Sequence, residues 1–279
     1  MNCYVCSSYH IKLYKTIKIY RLFKCKSCGV IFLDRENLSS DLSRFYDQKY
    51  FDDYLYDLNY EVKQVKDTLR YYIDLLSYHY FKPDKILDVG AGIGLMVKAF
   101  RDLGFDADGV EVSSYACKVA LENFELNLFN GTLLDYKTEN KYDMIVFYHS
   151  FEHLENPLKI LDKVKNLLCD GGLLWLSLPN VMSLDRFLNK ENWNGWSLPY
   201  HLFHYSPSSI ERLLRLQNFK EIKIMKGFLN PFRILIKREK QNSQVLVEKV
   251  SKFSILKEFI RMPATLVFSN QNMNVFAIK

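Results

Sequence analysis

Three glycines alternate with other residues shortly after an acid in the stretch ILDVGAGIG. Gly90, Gly92 and Gly94 follow Asp88, and a glycine-rich turn at the end of a buried strand commonly lets a cofactor approach the backbone. The dinucleotide pattern GxGxxG is incomplete because Leu95 stands at its third glycine. A phosphate-bearing cofactor would also lie beside the negative charge of Asp88. S-adenosylmethionine carries a sulfonium and an ammonium but no phosphate, so Coulomb attraction favours it here.

Two further acids follow the next two predicted strands. Glu111 ends the second strand, where a carboxylate can accept hydrogen bonds from both ribose hydroxyls of the cofactor. Asp135, in GTLLDY, follows the short third strand and can accept from the adenine amino group. A helix-cap role for Glu111 and a turn role for Asp135 remain alternatives. Taken in order, the acids at the ends of successive strands predict a site for S-adenosylmethionine.

Two histidines follow the fourth predicted strand, YDMIVFYH, or end it, and two lie in the loop after the fifth, LLWLSLP. Methyl transfer to a hydroxyl requires a base for the acceptor proton, and imidazole titrates near neutral pH. His149, His153 and His201 are the catalytic candidates, and His149 is also expected to contact the cofactor. His204 is a weaker candidate, and a purely structural role for Glu152 and His153 remains open.

Two CxxC pairs stand near the N-terminus, the first at Cys3 and Cys6 and the second at Cys25 and Cys28. Such pairs can hold one zinc ion tetrahedrally, and a site closed by four thiolates is structural rather than catalytic. The alternating residues between the pairs predict a β-hairpin. Disulfides and a redox CxxC are the alternatives, and the doubled spacing disfavours both. Cys117 and Cys169 are expected to be buried thiols on helices.

Strands and helices alternate from residue 81 onward, which predicts a mostly parallel sheet with helices on both faces. Ligands bind such sheets beyond the carboxyl ends of the strands, where the glycine turn lies. The predicted domains are a zinc ribbon at 1–35, an aromatic connector and helix at 36–80, and a cofactor-binding domain at 81–279. Aromatic side chains near the cleft are expected to pack as a lid, with substrate stacking as the alternative: Tyr46, Tyr50, Trp193 and Trp196.

The composition is that of a globular protein, with 279 residues and a formal net charge of +6. No apolar run approaches the ~20 residues of a membrane span. Cys3 stands too early for an export signal, so a cytoplasmic location is expected. Six basic residues precede residue 34 without an acid among them, and they form either an anion-attracting surface or a solvated hairpin face: Lys12, Lys15, Lys18, Arg21, Lys24 and Lys26.

From about residue 60 to the end, the chain resembles the class I S-adenosylmethionine-dependent methyltransferases. The glycine motif, VEVSS, FEHLENP and GGLLWLSLPN occur in the expected order. Within that class, the chain is similar to a group with EH followed by Pro and a later W…P-x-H-x-x-H-x-S, here Trp193 or Trp196, Pro199, His201, His204 and Ser206. The resemblance implies a Rossmann-like sheet of seven strands, with the last strand antiparallel and a helical insertion at 229–270 before it.

Members of this group with a zinc ribbon often methylate sugars, cell-surface glycans or other small metabolites. The resemblance therefore implies a small-molecule acceptor, such as an anionic sugar nucleotide, and methylation of one of its hydroxyls in polysaccharide biosynthesis. Carbon methylation of a deoxysugar and methylation of RNA are the alternatives, with nucleic acid disfavoured by the low overall charge. A non-enzymatic protein that binds the cofactor is the third class.

The segment HSFEH is also similar to a stretch of the ubiquinone O-methyltransferases in which two acids and a histidine are metal ligands. His149, Glu152 and His153 would share one face of a helical turn. His149 stands where the first acid would be, which leaves an oxygen-ligand magnesium site one carboxylate short.

Overall fold

The computed structural model describes residues 1–36, 48–51, 55, 57–78, 81–226 and 271–279. The predicted insertion at 229–270 and Tyr46 lie outside these residues. Residues 37–47, 52–54 and 56 of the predicted connector also lie outside them. Within the described residues, no helix combines the length and the apolar character that crossing a membrane requires.

Seven strands form the main sheet: β4 Lys85–Val89, β5 Asp106–Glu111, β6 Phe129–Asn130, β7 Tyr142–Tyr148, β8 Leu168–Pro179, β10 Lys220–Lys226 and β11 Asn272–Ile278. Their order across the sheet is β10-β11-β8-β7-β4-β5-β6. The five strands from β8 to β6 are parallel, whereas β11 is antiparallel to both β8 and β10. The predicted Rossmann-like fold with an antiparallel last strand is confirmed.

The described residues form the helices α1 Gln48–Phe51, α2 Leu58–Tyr78, α3 Leu95–Asp102, α4 Ser114–Phe124, α5 Pro157–Leu167, α6 Leu184–Asn189 and α7 Pro207–Leu216. Helices pack on both faces of the main sheet, α2 and α3 on one and α5 and α7 on the other. Successive residues of β7 alternate between two hydrophobic clusters. Ile145 and Phe147 pack in the cluster with α5 and α7, while Met144 and Val146 pack in the cluster with α2 and α3. This alternation follows from the two-residue period of a strand, and it explains why every side chain from Met144 to Phe147 is buried.

A smaller antiparallel sheet contains β1 Ile11–Ile17, β2 Tyr20–Cys25, β3 Ile31–Leu33 and β9 Phe203–His204, in the order β1-β2-β3-β9. The predicted hairpin between the cysteine pairs is β1 and β2. The last strand, β9, comes from the loop between β8 and α7. The small sheet therefore joins residues on both sides of the predicted boundary at residue 35, and the predicted domain boundaries remain predictions.

The segment NPLKILDKVKNLLCDGG differs from its predicted form. Its sequence predicts one helix that starts at the proline and ends at the glycine pair, but α5 ends at Leu167 and β8 begins at Leu168, which pairs with Tyr142 of β7. Cys169 therefore lies on a strand, whereas Cys117 lies on α4 as predicted. Both thiols are half-buried instead of fully buried. Strand pairing with β7 outweighs the local helical pattern at this point.

Candidate functional site

The glycine turn lies at the carboxyl end of β4, in the centre of the parallel part of the sheet. Gly90, Gly92 and Gly94 all have positive φ angles, of 77°, 54° and 82°. The amides of Gly90 and Ala91 both donate to the carbonyl of Val110 on β5, at 2.9 and 3.1 Å. These bonds tie the turn to the neighbouring strand, so its backbone approaches the crevice in a fixed conformation.

Gly90 also lies directly against the segment that carries the histidines. A Cβ atom at this position would lie 2.5 Å from Ser150 Cβ, and the Ser150 hydroxyl donates to the carbonyl of Val89. The cofactor turn and the histidine segment are therefore packed together without space for a methyl group.

Replacing Gly90 by alanine is expected to lower the affinity for S-adenosylmethionine at least tenfold, because the turn or Ser150 must shift. Calorimetric titration measures this loss. Gly104→Ala is the matched control, since Gly104 also has a positive φ of 92° but has nothing within 4 Å of a built Cβ. The control variant is destabilised only by its left-handed backbone conformation, which lowers the free energy of unfolding by roughly 1–2 kcal/mol. Equal cofactor affinity in both variants would contradict the packing argument.

Glu111 is held at the end of β5 by two backbone donors. Its Oε2 accepts from the Gly92 amide and its Oε1 from the Ser113 amide, both at 2.8 Å. Ser113 in turn caps α4 by accepting from the Ala116 amide. The side chain is 6% exposed, yet each carboxylate oxygen has a second lone pair available for a ligand hydroxyl.

Asp88 and Glu111 form a buried acidic pair beneath the turn. Burial, followed by the charge of Glu111, raises the pKa of Asp88 to about 7, and burial also raises the pKa of Glu111. A cationic ligand would offset this accumulation of negative charge, whereas a phosphate would increase it. The residues present therefore fit S-adenosylmethionine better than a dinucleotide.

Asp135 lies on the surface beyond β6 and is exposed. Its carboxylate accepts a hydrogen bond from the Thr132 hydroxyl. Its predicted contact with the adenine amino group remains a prediction.

The segment HSFEH forms a shorter turn than the sequence predicts. Its 3-10 turn spans Phe151–His153, and His149 precedes the turn with a φ of 55°. His149 donates its amide to the Ser177 carbonyl at 3.0 Å, and its Nε2 lies 3.1 Å from Asn272 Nδ2. His149 is therefore fixed between β8 and β11, outside the helical face on which it was expected.

Glu152 lies at the centre of the histidine group. Its side chain is 1% exposed, and among the described residues neither carboxylate oxygen has a hydrogen-bond partner. Its Oε1 lies 3.6 Å from His149 Nδ1 and 3.8 Å from His201 Nε2. Burial raises the pKa of Glu152, but the adjacent imidazoles outweigh burial and lower this pKa. The carboxylate is therefore ionised at neutral pH.

His201 joins this group from the loop after β8. Its Nδ1 lies 2.9 Å from the Gly195 carbonyl, and its ring meets that of His153 edge to face, with centroids 4.7 Å apart. Because the carbonyl can only accept, Nδ1 carries the proton in the neutral ring and Nε2 is left free to accept one. Burial lowers the pKa of His201 and lowers that of His153 to about 4, so both rings are neutral at pH 7.

The candidate metal ligands also differ from the predicted set. One ligand atom each of Glu152, His153 and His201 lie within 4.8 Å of one another, so His201 takes the place expected for His149. This set offers one oxygen and two nitrogens. Magnesium prefers oxygen ligands, so these residues do not fit a magnesium site.

The tryptophans of the motif pack inside the loop. Trp193 and Trp196 are 2% and 3% exposed, and the rings of Trp196 and His204 lie 4.9 Å apart. Burial lowers the pKa of His204 to about 3. Both tryptophans are therefore packed in the interior, and their predicted role in a lid remains a prediction. The Tyr50 side chain lies outside the described part of the chain, so its predicted role remains a prediction.

Two residues of this region were missed in the sequence. Ser150 fills the space above Gly90, and Asn272 lies beside His149 from a strand at the far end of the chain. Neither has a local signal, because a serine or an asparagine at a strand end is common and its partner depends on the fold.

The four N-terminal cysteines lie together as free thiols. Sγ of Cys3 is 3.7 Å from that of Cys28, Sγ of Cys6 is 3.5 Å from that of Cys25, and all four lie within 4.8 Å of one another. A tetrahedron of thiolates around zinc, with bonds of about 2.3 Å, has sulfur–sulfur edges of about 3.8 Å. The Val5 and Cys28 amides also lie 3.4 Å from Cys3 Sγ and Cys25 Sγ. This geometry is compatible with a zinc ribbon.

A methyltransferase domain family matches residues 43–224, which is more than half of the chain. A ubiquinone biosynthesis O-methyltransferase of Glaesserella parasuis serovar 5 is 32% identical over 107 residues, covering 34% of this chain and 45% of that relative. Another protein of that name, from Rickettsia canadensis, is 28% identical over 175 residues, covering 58% of this chain and 73% of the relative. The chain thus spans less than half the length of the first relative.

Among solved structures, a SAM-dependent methyltransferase from Archaeoglobus fulgidus superposes with a TM-score of 0.57 at 20% identity. The superposition covers 83% of this chain and 98% of the other. At this identity the likeness shows the fold.

Proposed function

This chain belongs to the methyltransferase domain family, and on that premise we propose that it transfers a methyl group from S-adenosylmethionine to a small-molecule hydroxyl. The observation that carries the proposal is the contact between the two halves of the site, where Gly90 leaves no space for a Cβ beside Ser150. A cofactor on the turn therefore lies next to the buried Glu152 and its histidines.

S-adenosylmethionine supplies an electrophilic methyl group on a sulfonium. Glu111 holds the ribose hydroxyls with the lone pairs left free by the Gly92 and Ser113 amides. Asp88 contributes negative charge beneath the turn and favours the cationic end of the cofactor. His149, fixed by Asn272, borders the cofactor on the side of β8.

The acceptor proton goes to an imidazole. His201 Nε2 is the first candidate, because the Gly195 carbonyl holds the proton on Nδ1. Glu152 Oε1 lies 3.8 Å from the same Nε2, and its negative charge then stabilises the imidazolium that forms. His153 is the second candidate, and His149 is the third because part of its side chain remains exposed.

The acceptor is a sugar, a sugar nucleotide or a surface-glycan precursor, with carbon methylation of a deoxysugar as the alternative. Relatives whose name specifies transfer to oxygen support a hydroxyl acceptor. RNA is less favoured, because part of the basic surface is already neutralised. Lys15 lies 3.1 Å from Glu191, and Arg21 pairs with Asp34 and lies 3.5 Å from Glu36.

The test is a methylation screen with S-adenosylmethionine labelled in its methyl group. Its arms are sugar nucleotides, hydroxylated aromatic metabolites and total RNA, each with wild type and with His201→Ala. Labelling of a sugar nucleotide that the variant loses supports the proposal. Labelling confined to RNA, with binding that falls steeply between low and moderate salt, would favour the RNA alternative. Absence of cofactor binding would reject the function itself.

The cysteine cluster holds a structural zinc ion in this proposal. A segment of about 35 residues buries too little apolar surface to fold on its core alone, so metal binding adds to the stability that the segment gains by pairing with β9.

A further inference from the structure

The cysteine ribbon and the loop that carries His201 share one sheet. Ile31 pairs with His204 and Phe32 with Phe203, although β3 and β9 lie far apart in the sequence. The Leu33 amide also donates to the Leu202 carbonyl at 2.9 Å. The residue that follows His201 is therefore held directly by a strand of the ribbon.

The same segment is bound on its other side by the rim of the main sheet. The Leu202 amide donates to the Glu152 carbonyl at 3.0 Å, and the Val181 amide donates to the Tyr205 carbonyl at 3.0 Å. Residues 201–205 thus lie between β3 and the Glu152 turn. Their position depends on β3 on one side and on that turn on the other.

The position of β3 depends in turn on the cysteines. Cys25 ends β2, and Cys28 stands shortly before β3 begins at Ile31. The Cys25 amide donates to the Val30 carbonyl at 2.9 Å, and the Gly29 amide donates to the Cys25 carbonyl at 3.0 Å. This tight turn carries two of the four thiolates, so a metal ion bound there fixes the end of β2 against the start of β3.

Side-chain contacts also join the ribbon to α7 on one side and to the Glu152 turn on the other. The Arg212 guanidinium donates to the Ser27 carbonyl, within the second cysteine pair. Arg35 lies 4.0 Å over the Tyr4 ring and donates to the Glu155 carbonyl at 3.3 Å. The cofactor turn touches the Glu152 segment through Gly90 and Ser150. Its own backbone conformation is held within the main sheet, where the Gly90 and Ala91 amides donate to the Val110 carbonyl.

We propose that the metal-bound ribbon is a positioning element of the acceptor site, which holds His201 against Glu152 through the pairing of β3 with β9. Metal occupancy then controls the order of residues 201–205 and acceptor turnover, while cofactor affinity is independent of it. The effect on acceptor turnover rests on the proposed function, whereas the effect on the order of residues 201–205 does not. The link between the ribbon and residues 201–205 is made by backbone hydrogen bonds.

The test is hydrogen–deuterium exchange on the full chain, loaded with zinc and stripped by a chelator, with zinc content measured in parallel. Exchange at residues 198–206 is expected to rise at least tenfold on zinc removal, and exchange at 85–94 is expected to change less than twofold. Affinity for S-adenosylmethionine, measured by calorimetry, is expected to stay within threefold. This readout needs no acceptor, so its failure is distinct from a failure of the proposed function.

A second variant separates the backbone link from the metal. Leu33→Pro keeps every cysteine but removes the amide that donates to Leu202, whereas Leu33→Ala keeps the amide and removes the side chain. The proline variant is expected to show the larger rise in exchange at 198–206 with its zinc retained. The alanine variant loses a buried side chain but keeps the amide, so its rise is expected to be the smaller one. Unchanged exchange in zinc-free protein, or loss of cofactor affinity together with the metal, would overturn the proposal.

Discussion

Glu111→Ala is expected to weaken binding of S-adenosylmethionine by about ten- to a thousandfold. A hydrogen bond to a charged group contributes roughly 1.5–3 kcal/mol, and about 1.4 kcal/mol corresponds to a factor of ten in affinity. Glu111 is 6% exposed and its carboxylate is already oriented by two backbone amides, so the cofactor meets it without further ordering. Calorimetric titration of the folded variant measures the loss.

Two further variants make this result specific. Glu111→Gln keeps the shape but turns one acceptor into a donor, and it is expected to lose affinity in the same direction. Glu122→Gln is the control, because Glu122 is exposed on the neighbouring helix α4 and pairs only with Lys118, at 3.7 Å, among the described residues. Normal affinity in Glu111→Ala would remove the ribose role.

His201→Ala is expected to lower kcat by about a hundred- to ten-thousandfold, the usual contribution of a general base. Cofactor affinity is expected to be unchanged, since the glycine turn and Glu111 are held independently of His201. His10→Ala is the control, because this histidine is exposed on the ribbon. Turnover is measured with the acceptor identified in the screen. Full turnover in His201→Ala and in His153→Ala would leave the site without its proposed base.

The pH dependence of turnover gives a separate test of Glu152. Burial lowers the pKa of His201 from its ordinary value near 6.5, so the neutral base persists below that pH. Activity is lost only as pH falls through the lowered pKa. The charge of Glu152 raises the pKa of His201, so Glu152→Gln is expected to move the acid limb of kcat/KM to still lower pH. An acid limb that does not move would exclude this electrostatic coupling.

Much of the cofactor side could be predicted from the sequence because its signals are local. The strand at 85–89, the glycines after it and the acid Glu111 at the end of the next strand follow one another closely along the chain. The two-residue period of strands and the 3.6-residue period of helices indicate which face of each element is buried. The order of the elements then limits the possible topologies. The cysteine spacing likewise predicted a cluster within one hairpin.

The tertiary structure alone decided how the histidine group around Glu152 is assembled. His201 joins Glu152 from a different loop, Asn272 reaches His149 from the last strand, and β3 pairs with β9 from the other end of the chain. No periodicity encodes such contacts, because they depend on how separate elements pack. The same reason explains the end of α5, where pairing of Leu168 with Tyr142 overrode a local helical pattern. Sequence determined the residue types and their elements, and packing determined which of them meet.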